Sequence, residues 1–563
     1  MTGGAAIVEV LRAAGIVDVF GIASGKMMPL IKAISEQPEI RYRGVRHEAA
    51  AAFMAAGIAA GAGRPAVCLG ETAPGGLNLL GGMGVGFANN LPVLAITSSH
   101  PARIASPPRG AFSAGNNERL FEPMVKWNTT IRDPGRIPEV MKWALREALT
   151  GRPGPVHLDV PADVLAASAS YDPRELAQPL EAFVPPARQM ADEAAVTVAV
   201  DLLRNAHRPL LIAGGGVVRS GAAERFRQMT AALGAPAVTT QMGLGVISSA
   251  SSGFIGQGGT IGGEAVVRAL RDADVILAVG CRFSSWMWTD GPPNFHAGRT
   301  QRLIHLDIDP TVMGRSLPVT VPLVGDADAV LGQLLAHFPR RQAPPSRWAV
   351  ELRETYASYR GRLVASADQP QTSDQMHPAA FAREVGAFIG ETGLAAFDGG
   401  HTTFWSNEFT PTTAPRTRFH DPGMAHLGYG LPFALALQHA FPAERVYNVT
   451  GDGAFGFTVQ ELDTARREGL NIINVVHNNA AWGVIGFAQR KQFDFCFGAG
   501  LGGTDYSAIA RAFGCFGERV SRLEDVRPAL QRSLDSGRPA VIEGMVSFEP
   551  HPMMSVFGRS TAG

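Results

Sequence analysis

Val446-Tyr447-Asn448-Val449-Thr450-Gly451-Asp452-Gly453, with the later Ile472-Ile473-Asn474-Val475-Val476-His477-Asn478-Asn479, decides the reading of this chain. Each stretch opens as a short apolar run, which suits a strand buried on both faces. The segment between them, Phe455 to Glu468, has helical character. Strand, glycine turn, helix and strand make a βαβ unit, whose ligands sit beyond the carboxyl ends of the strands. Asp452 closes the first strand and Asn479 the second, so a carboxylate and an amide oxygen converge. One of each leaves most of an octahedral Mg²⁺ shell to water and to substrate phosphates. The helix start after Gly453 offers N–H groups and a positive dipole end to those phosphates. The pattern reads as a metal-bridged diphosphate anchor.

The same alternation of strand and helix fills the rest of the chain. Residues 1 to about 165 open with helical Ala6-Ile7-Val8-Glu9-Val10-Leu11 and the strand Val17-Asp18-Val19-Phe20-Gly21. Stretches 66–69, 92–97 and 154–160 add strands. Strands separated by helices predict a parallel sheet covered on both faces. Residues 166–190, rich in Pro, Ala and charge, read as a linker. A second α/β segment, 191–342, holds the strand 209–213 leading into Gly214-Gly215-Gly216, and the strands 274–280 and 303–309. Residues 343–375 read as a second linker, with Arg340-Arg341 at its entrance. The third segment, 376–547, carries the metal motif, and the tail 548–563 is expected to order only over a ligand. The expected fold is α/β, with three consecutive doubly wound parallel-sheet domains. No short-period repeat is visible, and duplication of a domain stays open.

Composition narrows the function. Fifty basic and fifty acidic side chains balance, which argues against nucleic acid as the main partner. The four cysteines form no CxxC pair, so neither a zinc site nor a disulfide framework is expected. The N-terminus lacks a charged region followed by an apolar run, and the apolar stretch 81–97 is broken by Gly, Asn and Pro. The expectation is a cytoplasmic enzyme that meets no membrane and acts on a small molecule.

Gly-Asp-Gly followed after 24 residues by Asn-Asn resembles the signature of thiamine-diphosphate (ThDP) enzymes of the acetolactate synthase-like superfamily. That group also holds benzaldehyde lyase, glyoxylate carboligase and the 2-hydroxyacyl-CoA lyases. The resemblance covers nearly the whole chain. It implies Mg²⁺ on Asp452, Asn479 and the carbonyl of Ala481, with the diphosphate on backbone N–H groups of Gly453, Ala454 and Phe455. Ala454 stands where many relatives carry a Ser. Asp398-Gly399-Gly400-His401-Thr402 matches the loop that holds the diphosphate from the opposite side, which implicates Gly400, His401 and Thr402. Leu427, in His426-Leu427-Gly428-Tyr429-Gly430, takes the place of the aliphatic prop under the bent coenzyme, and the carbonyl of Ala425 that of the acceptor for its amino group. Trp482 and Gly483 complete the Asn-Asn-x-x-Trp-Gly pattern shared with benzaldehyde lyase.

The first segment supplies the acid. Glu48 in Arg46-His47-Glu48-Ala49-Ala50 matches the Glu that sits on the pyrimidine nitrogen and favours the reactive tautomer. Glyoxylate carboligase has an apolar residue there, so Glu48 separates this chain from it. Glu71-Thr72-Ala73-Pro74-Gly75-Gly76-Leu77-Asn78 is similar to the family's Gly-Pro-Gly turn beside the pyrimidine, with Pro74 and Asn78 implicated. Because the acid and the metal motif lie far apart in sequence, the resemblance implies a homodimer or homotetramer with sites at the subunit interface.

Substrate residues depart from each familiar pattern. The stretch Gly486-Phe487-Ala488-Gln489-Arg490-Lys491 after the Asn pair lacks the Trp of acetolactate synthases and keeps no clearly matching Arg. Ser113 replaces the usual Gln of a first-segment loop, and Lys26 falls near the place of benzaldehyde lyase's active-site His. A Lys there suits a substrate carboxylate or acid catalysis, and His401, His426 and His477 are candidates for proton transfer. Gly214-Gly215-Gly216 hints at a nucleotide, FAD or ADP, but the acidic pattern of FAD-containing relatives is absent at Arg282-Phe283-Ser284-Ser285, and both stay open. The expected activity is a ThDP- and Mg²⁺-dependent carbon–carbon lyase or carboligase on 2-oxo acids, aldehydes or 2-hydroxy ketones. The alternatives are a 2-hydroxyacyl-CoA lyase or oxalyl-CoA decarboxylase type, and a non-catalytic ThDP-binding protein.

Overall fold

Among the described residues, eighteen strands form three six-stranded sheets in the computed structural model, and all the pairings within them are parallel. The structure describes residues 1–105, 109–184, 186–259, 262–287, 300–339, 342–368, 371, 374–391 and 393–554. Arg340, Arg341 and residues 555–563 of the tail lie outside the described residues. In the first domain the strands are β1 (Asp18–Gly21), β2 (Arg41–Gly44), β3 (Ala66–Glu71), β4 (Val93–Ser98), β5 (Trp127–Thr130) and β6 (Val156–Asp159). The central domain has β7 (Pro209–Ala213), β8 (Ala237–Thr239), β9 (Phe254–Gln257), β10 (Val275–Val279), β11 (Arg302–Asp307) and β12 (Val321–Val324). The third has β13 (Leu394–Asp398), β14 (Arg418–Phe419), β15 (Val446–Gly451), β16 (Ile473–Asn478), β17 (Phe516–Val520) and β18 (Ala540–Met545). The doubly wound α/β class is the fold expected from sequence.

Strand order reveals what the sequence hides. The first sheet runs β2-β1-β3-β4-β6-β5 and the third β14-β13-β15-β16-β18-β17, which is the same order. The central sheet runs β12-β11-β10-β7-β8-β9, the dinucleotide-fold order. Each sheet changes direction beside its first strand, and a crevice opens there at the carboxyl ends of the strands; the first and third sheets reverse again at the far edge, where β6 lies inside β5 and β18 inside β17. The crevices fall between β1 and β3, between β7 and β10, and between β13 and β15.

The first and third domains share a core. The helix Glu48–Gly61 is alanine-rich and buried on all sides from Ala50 onward, as an enclosed helix must be. It packs on the helix Gly430–Ala440, and the contact is close: a Cβ on Gly57 would lie 2.8 Å from that of Ala436. Asp18, fully buried, ties the two domains together by meeting His439 at 2.8 Å and Arg41 at 2.6 Å, with Arg64 beside it.

Three local readings are corrected. The glycine-rich stretch after Glu71 is no turn; it is the first turns of a helix, Thr72–Ala88. The helix after the Gly-Asp-Gly motif starts at Asp452 itself and breaks into Asp452–Gly456 and Glu461–Arg467. Segment 343–375 contains a 21-residue helix, Arg347–Ala367, capped by the Ser346 hydroxyl and burying Trp348, Leu352 and Tyr359. Among the described residues, no helix is long and apolar enough to cross a membrane.

Candidate active site

The crevice between β13 and β15 opens into a cavity of about 400 Å³. Its walls come from the turns after β13, β15 and β16 and from the segment 420–429. Asp452, the first residue after β15, is buried with its Oδ1 accepting from the Gly453 N–H at 2.9 Å. Its Oδ2 has no hydrogen-bond donor. Burial raises its pKa to about 6, although the nearby N–H groups of Gly453, Ala481 and Ala480 favour the charge. The Tyr506 hydroxyl donates to the Asp452 carbonyl at 2.7 Å and fixes the turn.

Asn479 and Ala481 line the same cavity. Their turn is tied down at Asn478, whose amide donates to Glu543 at 2.6 Å and whose Oδ1 accepts the Ala480 N–H at 3.0 Å. Ala480 takes a left-handed φ of 55°. The Ala480 carbonyl is taken by the Leu501 N–H, and among the described residues no N–H is bonded to that of Ala481. Trp482 packs over Gly453 so closely that a Cβ there would fall 2.4 Å from the indole ring.

The opposite wall is held by two aspartates that sequence reasoning passed over. Asp398 accepts N–H bonds from Gly399 (2.7 Å), Gly428 (2.9 Å) and Gly430 (2.9 Å), joining the loop of Gly400, His401 and Thr402 to the loop of Leu427. Burial pushes its pKa up to about 7 against those three bonds. Asp421 accepts from the N–H groups of Met424 (3.0 Å) and His426 (2.9 Å), around Ala425. Ala425 has a φ of 53°, a strained state for a residue with a Cβ. Leu427 is only partly buried and faces the cavity, not the core. Phe404 and His477 line it too. Burial lowers the His401 pKa to about 4 and that of His477 to about 3, so both rings are neutral at pH 7. The His401 Nε2 is buried without a partner.

Residues of the first domain gather elsewhere. No residue of that domain lines this cavity. Glu48 heads its helix behind the N-cap His47, whose ring accepts the Ala49 N–H at 3.2 Å. Asn78, from the helix Thr72–Ala88, donates to Glu48 Oε2 at 2.9 Å. Pro74 is exposed on the first turn of that helix. Ser113 has a φ of 60°, and its carbonyl accepts the Ala73 N–H at 3.3 Å, which lays its loop over the same helix start. Lys26, on a short turn after β1, is paired: Nζ lies 3.2 Å from Glu71 Oε1, and its N–H donates to Oε2 at 3.2 Å. This pair spans the β1–β3 crevice. Burial works against the Glu71 charge, but the Ser24 hydroxyl and Lys26 outweigh it and hold its pKa below the usual carboxylate range.

A third-domain acid reaches into this group. Glu461, fully buried, accepts the Arg46 N–H at 3.2 Å on each oxygen and the Thr464 hydroxyl at 2.6 Å. It thereby anchors the chain two residues before Glu48.

Three family models match the chain. The N-terminal TPP-binding domain of thiamine pyrophosphate enzymes covers residues 1–119, their central domain 196–334, and their C-terminal TPP-binding domain 398–544. The acetolactate synthase large subunit of Corynebacterium glutamicum is 31% identical over 573 residues, spanning 99% of this chain and 88% of the relative. The chain belongs to the acetolactate synthase-like thiamine pyrophosphate enzymes. The acetolactate synthase large subunit of Mycobacterium tuberculosis is 30% identical to this ThDP enzyme over 97% of the chain and 88% of the relative. A probable acetolactate synthase large subunit of Methanocaldococcus jannaschii is 28% identical over 100% and 95%.

The resemblance assigns Mg²⁺ to the Asp452 carboxylate, whose pKa burial raises to about 6, so protons would compete with that metal below about the same pH. Mg²⁺-dependent ThDP affinity should fall roughly tenfold per pH unit below that point, as read by tryptophan fluorescence titration.

Proposed function

We propose that this enzyme breaks and makes carbon–carbon bonds beside a carbonyl, as a ThDP- and Mg²⁺-dependent lyase or carboligase acting on 2-oxo acids, aldehydes or 2-hydroxy ketones. The observation that carries this reading is the unbonded oxygen of Asp452, buried in the crevice cavity beside Asn479 and Ala481. A carboxylate, an amide and a carbonyl form an all-oxygen donor set that fits Mg²⁺. Among the described residues there is no cluster of three His, Cys, Asp or Glu to favour a softer metal. The N–H groups of Gly453, Ala454 and Phe455 on one side, and of Gly400, His401 and Thr402 on the other, suit a diphosphate. ThDP, when bound, supplies the carbanion that adds to a carbonyl carbon.

The protein's share is positioning. Glu48 is placed to hold a proton for the pyrimidine nitrogen, with Oε2 fixed by Asn78 and its helix start fixed by Glu461. Leu427, facing the cavity, would support the bound coenzyme, and Ala425, at a strained φ of 53°, would offer it a carbonyl. Trp482 and Gly483 close the floor. His401, held neutral, offers a hydrogen bond and no charge.

We infer a homodimer or homotetramer, with Glu48 from one copy meeting Asp452 of another. Support comes from the cavity around Asp452, which no first-domain residue lines. It comes also from exposed apolar side chains on both domains: Met28, two residues after Lys26, and Leu77, next to Asn78, in the first, and Phe457 and Ile485 in the third, all more than half exposed. The nucleotide reading rests on a second cavity, of about 300 Å³, in the β7–β10 crevice. Gly214 there leaves no room for a side chain, since a Cβ would lie 2.0 Å from the Gly280 carbonyl. An absorbance spectrum of the purified protein separates FAD from ADP.

Lys26 is our substrate-side candidate. With Glu71 as its partner, it offers the remaining ammonium protons to a carboxylate. Lys26→Met should raise KM for a 2-oxo acid about tenfold, the order of one charge-assisted hydrogen bond, and leave ThDP binding unchanged. Acetolactate synthase relatives favour the joining direction. The test of function is product analysis with pyruvate, benzoylformate, benzaldehyde plus formaldehyde, and a 2-hydroxyacyl-CoA. A Mg²⁺- and ThDP-dependent product from one of the first three is expected. Turnover of the thioester alone contradicts the proposed substrate class.

A further inference from the structure

We propose that a cavity between the central and third domains, separate from the cofactor crevice, binds a small 2-hydroxycarboxylate. The cavity holds about 420 Å³. It lies among β9, the helix Arg347–Ala367 and the carboxyl end of the helix Gly400–Phe409. This inference does not depend on the reading of the ThDP site.

Charge selects the ligand. Arg353 and Arg360 stand seven residues apart on one face of their helix, with Tyr356 between them, and all three line the cavity. Arg360 is neutralised by Glu408, whose Oε2 lies 2.6 Å from its guanidinium, while the Tyr359 hydroxyl donates to Glu408 Oε1 at 3.1 Å. Arg353 has no such partner: among the described residues no carboxylate lies within 4.0 Å of it. Its Nη1 donates to the Phe254 carbonyl at 2.7 Å, and its guanidinium sits 5.2 Å from the Tyr356 ring centroid. One hydrogen bond and a ring thus hold the fork in place while most of its N–H groups remain available. The wall carries a net single positive charge, which calls for an anion.

Two buried polar atoms complete the specification. The Asn407 amide nitrogen has no acceptor, and the Gln257 amide oxygen has no donor. Both residues line the cavity. Buried polar groups are ordinarily satisfied, so each marks a missing partner. A carboxylate answers Arg353 and Asn407, and a neighbouring hydroxyl answers Gln257. Inorganic phosphate carries more negative charge than the single net positive charge of this wall. The helix Gly400–Phe409 joins this cavity to the cofactor crevice, because Gly400, His401 and Thr402 line one and Asn407, Glu408 and Phe409 the other.

Calorimetric titration of the full-length protein, loaded with ThDP and Mg²⁺, tests the site with sodium glycolate, acetate and inorganic phosphate. Glycolate should bind saturably, at one site per chain that acetate and phosphate fill more weakly. Arg353→Gln should weaken that binding roughly tenfold or more. Asn407→Ala, which leaves the Phe254 contact intact, should weaken it several-fold and decides the matter if the arginine variant does not fold. Absence of saturable glycolate binding overturns the proposal. So does binding that both variants keep, since that binding belongs to another site.

Discussion

Replacing Glu48 with Gln should lower turnover by roughly 10²–10⁴-fold, the range lost with a positioned acid–base group, and leave Mg²⁺ and ThDP bound. The substitution keeps the shape of the side chain and removes its exchangeable carboxyl proton. Fold and loading are expected to survive for local reasons. The helix Glu48–Gly61 keeps its His47 cap, its buried alanine faces and its contact with the helix Gly430–Ala440. Asn78 can still donate to the remaining amide oxygen, as it now does to Oε2. Single-turnover kinetics with equilibrium dialysis of the coenzyme separate the two effects. Loss of ThDP from the variant would make Glu48 an anchor, and unchanged rates would remove it from the chemistry.

Asp452→Asn should cost about 100-fold or more in Mg²⁺-dependent ThDP affinity, since even an outer partner of a metal ligand carries 10–100-fold. The same change should stabilise the protein without metal at pH 8. Asp452 is buried, and its folded pKa of about 6 stands above the unfolded value of 3.8. Between those values the folded state holds the extra proton, so stability falls as pH rises and the full penalty is present above about pH 6. An Asn carries no such penalty. The gain of the variant should therefore be largest at pH 8 and shrink as pH drops from 6 towards 4. Urea melts of metal-free protein at both ends of that range measure it. Equal stability at pH 8 would mean that the Asp452 charge is already compensated in the free protein.

Local motifs explain what was readable. Gly451-Asp452-Gly453 and Asn478-Asn479 sit at strand ends, where the residues that form the turn are also the ones that face the ligand. Glu48 was legible only through the resemblance of Arg46-His47-Glu48-Ala49-Ala50 to the family motif. The supporting acids had no such signal. Asp398, Glu461 and Glu543 act on groups far from them in sequence and Asp421 on its own loop without a motif around it, and only the packing of the first domain on the third brings Arg46 to Glu461 across 415 positions of sequence. Propensity misled at Ala73-Pro74-Gly75-Gly76. Glycines suggest a turn, but packing of Gly75 on Gly70 and of Gly76 on Asn117 makes a helix the tighter solution. The helix Arg347–Ala367 escaped notice because it is mostly polar and buries only scattered residues against two domains. The identical strand order of the first and third sheets left no trace in residue identity, since buried parallel strands accept many apolar sequences.

Strand order also clarifies the division of labour. In the third sheet the crevice holds the metal-type donors. In the first, the corresponding crevice holds the Lys26–Glu71 pair, close to the helix start that carries Asn78 and Pro74. Two similar domains thus present different chemistry at the same topological position. We propose that one takes the diphosphate and the other the pyrimidine and the substrate.

Mixing two inactive variants tests most directly whether a site is built from two chains. Glu48→Gln and Asp452→Asn proteins, unfolded together and refolded, should form mixed dimers in which one of the two sites has both native residues. Random pairing then restores about a quarter of the native activity, as two-fold symmetry requires. Activity no higher than the sum of the separate variants would mean that each site draws Glu48 and Asp452 from one chain, and would contradict the two-chain site.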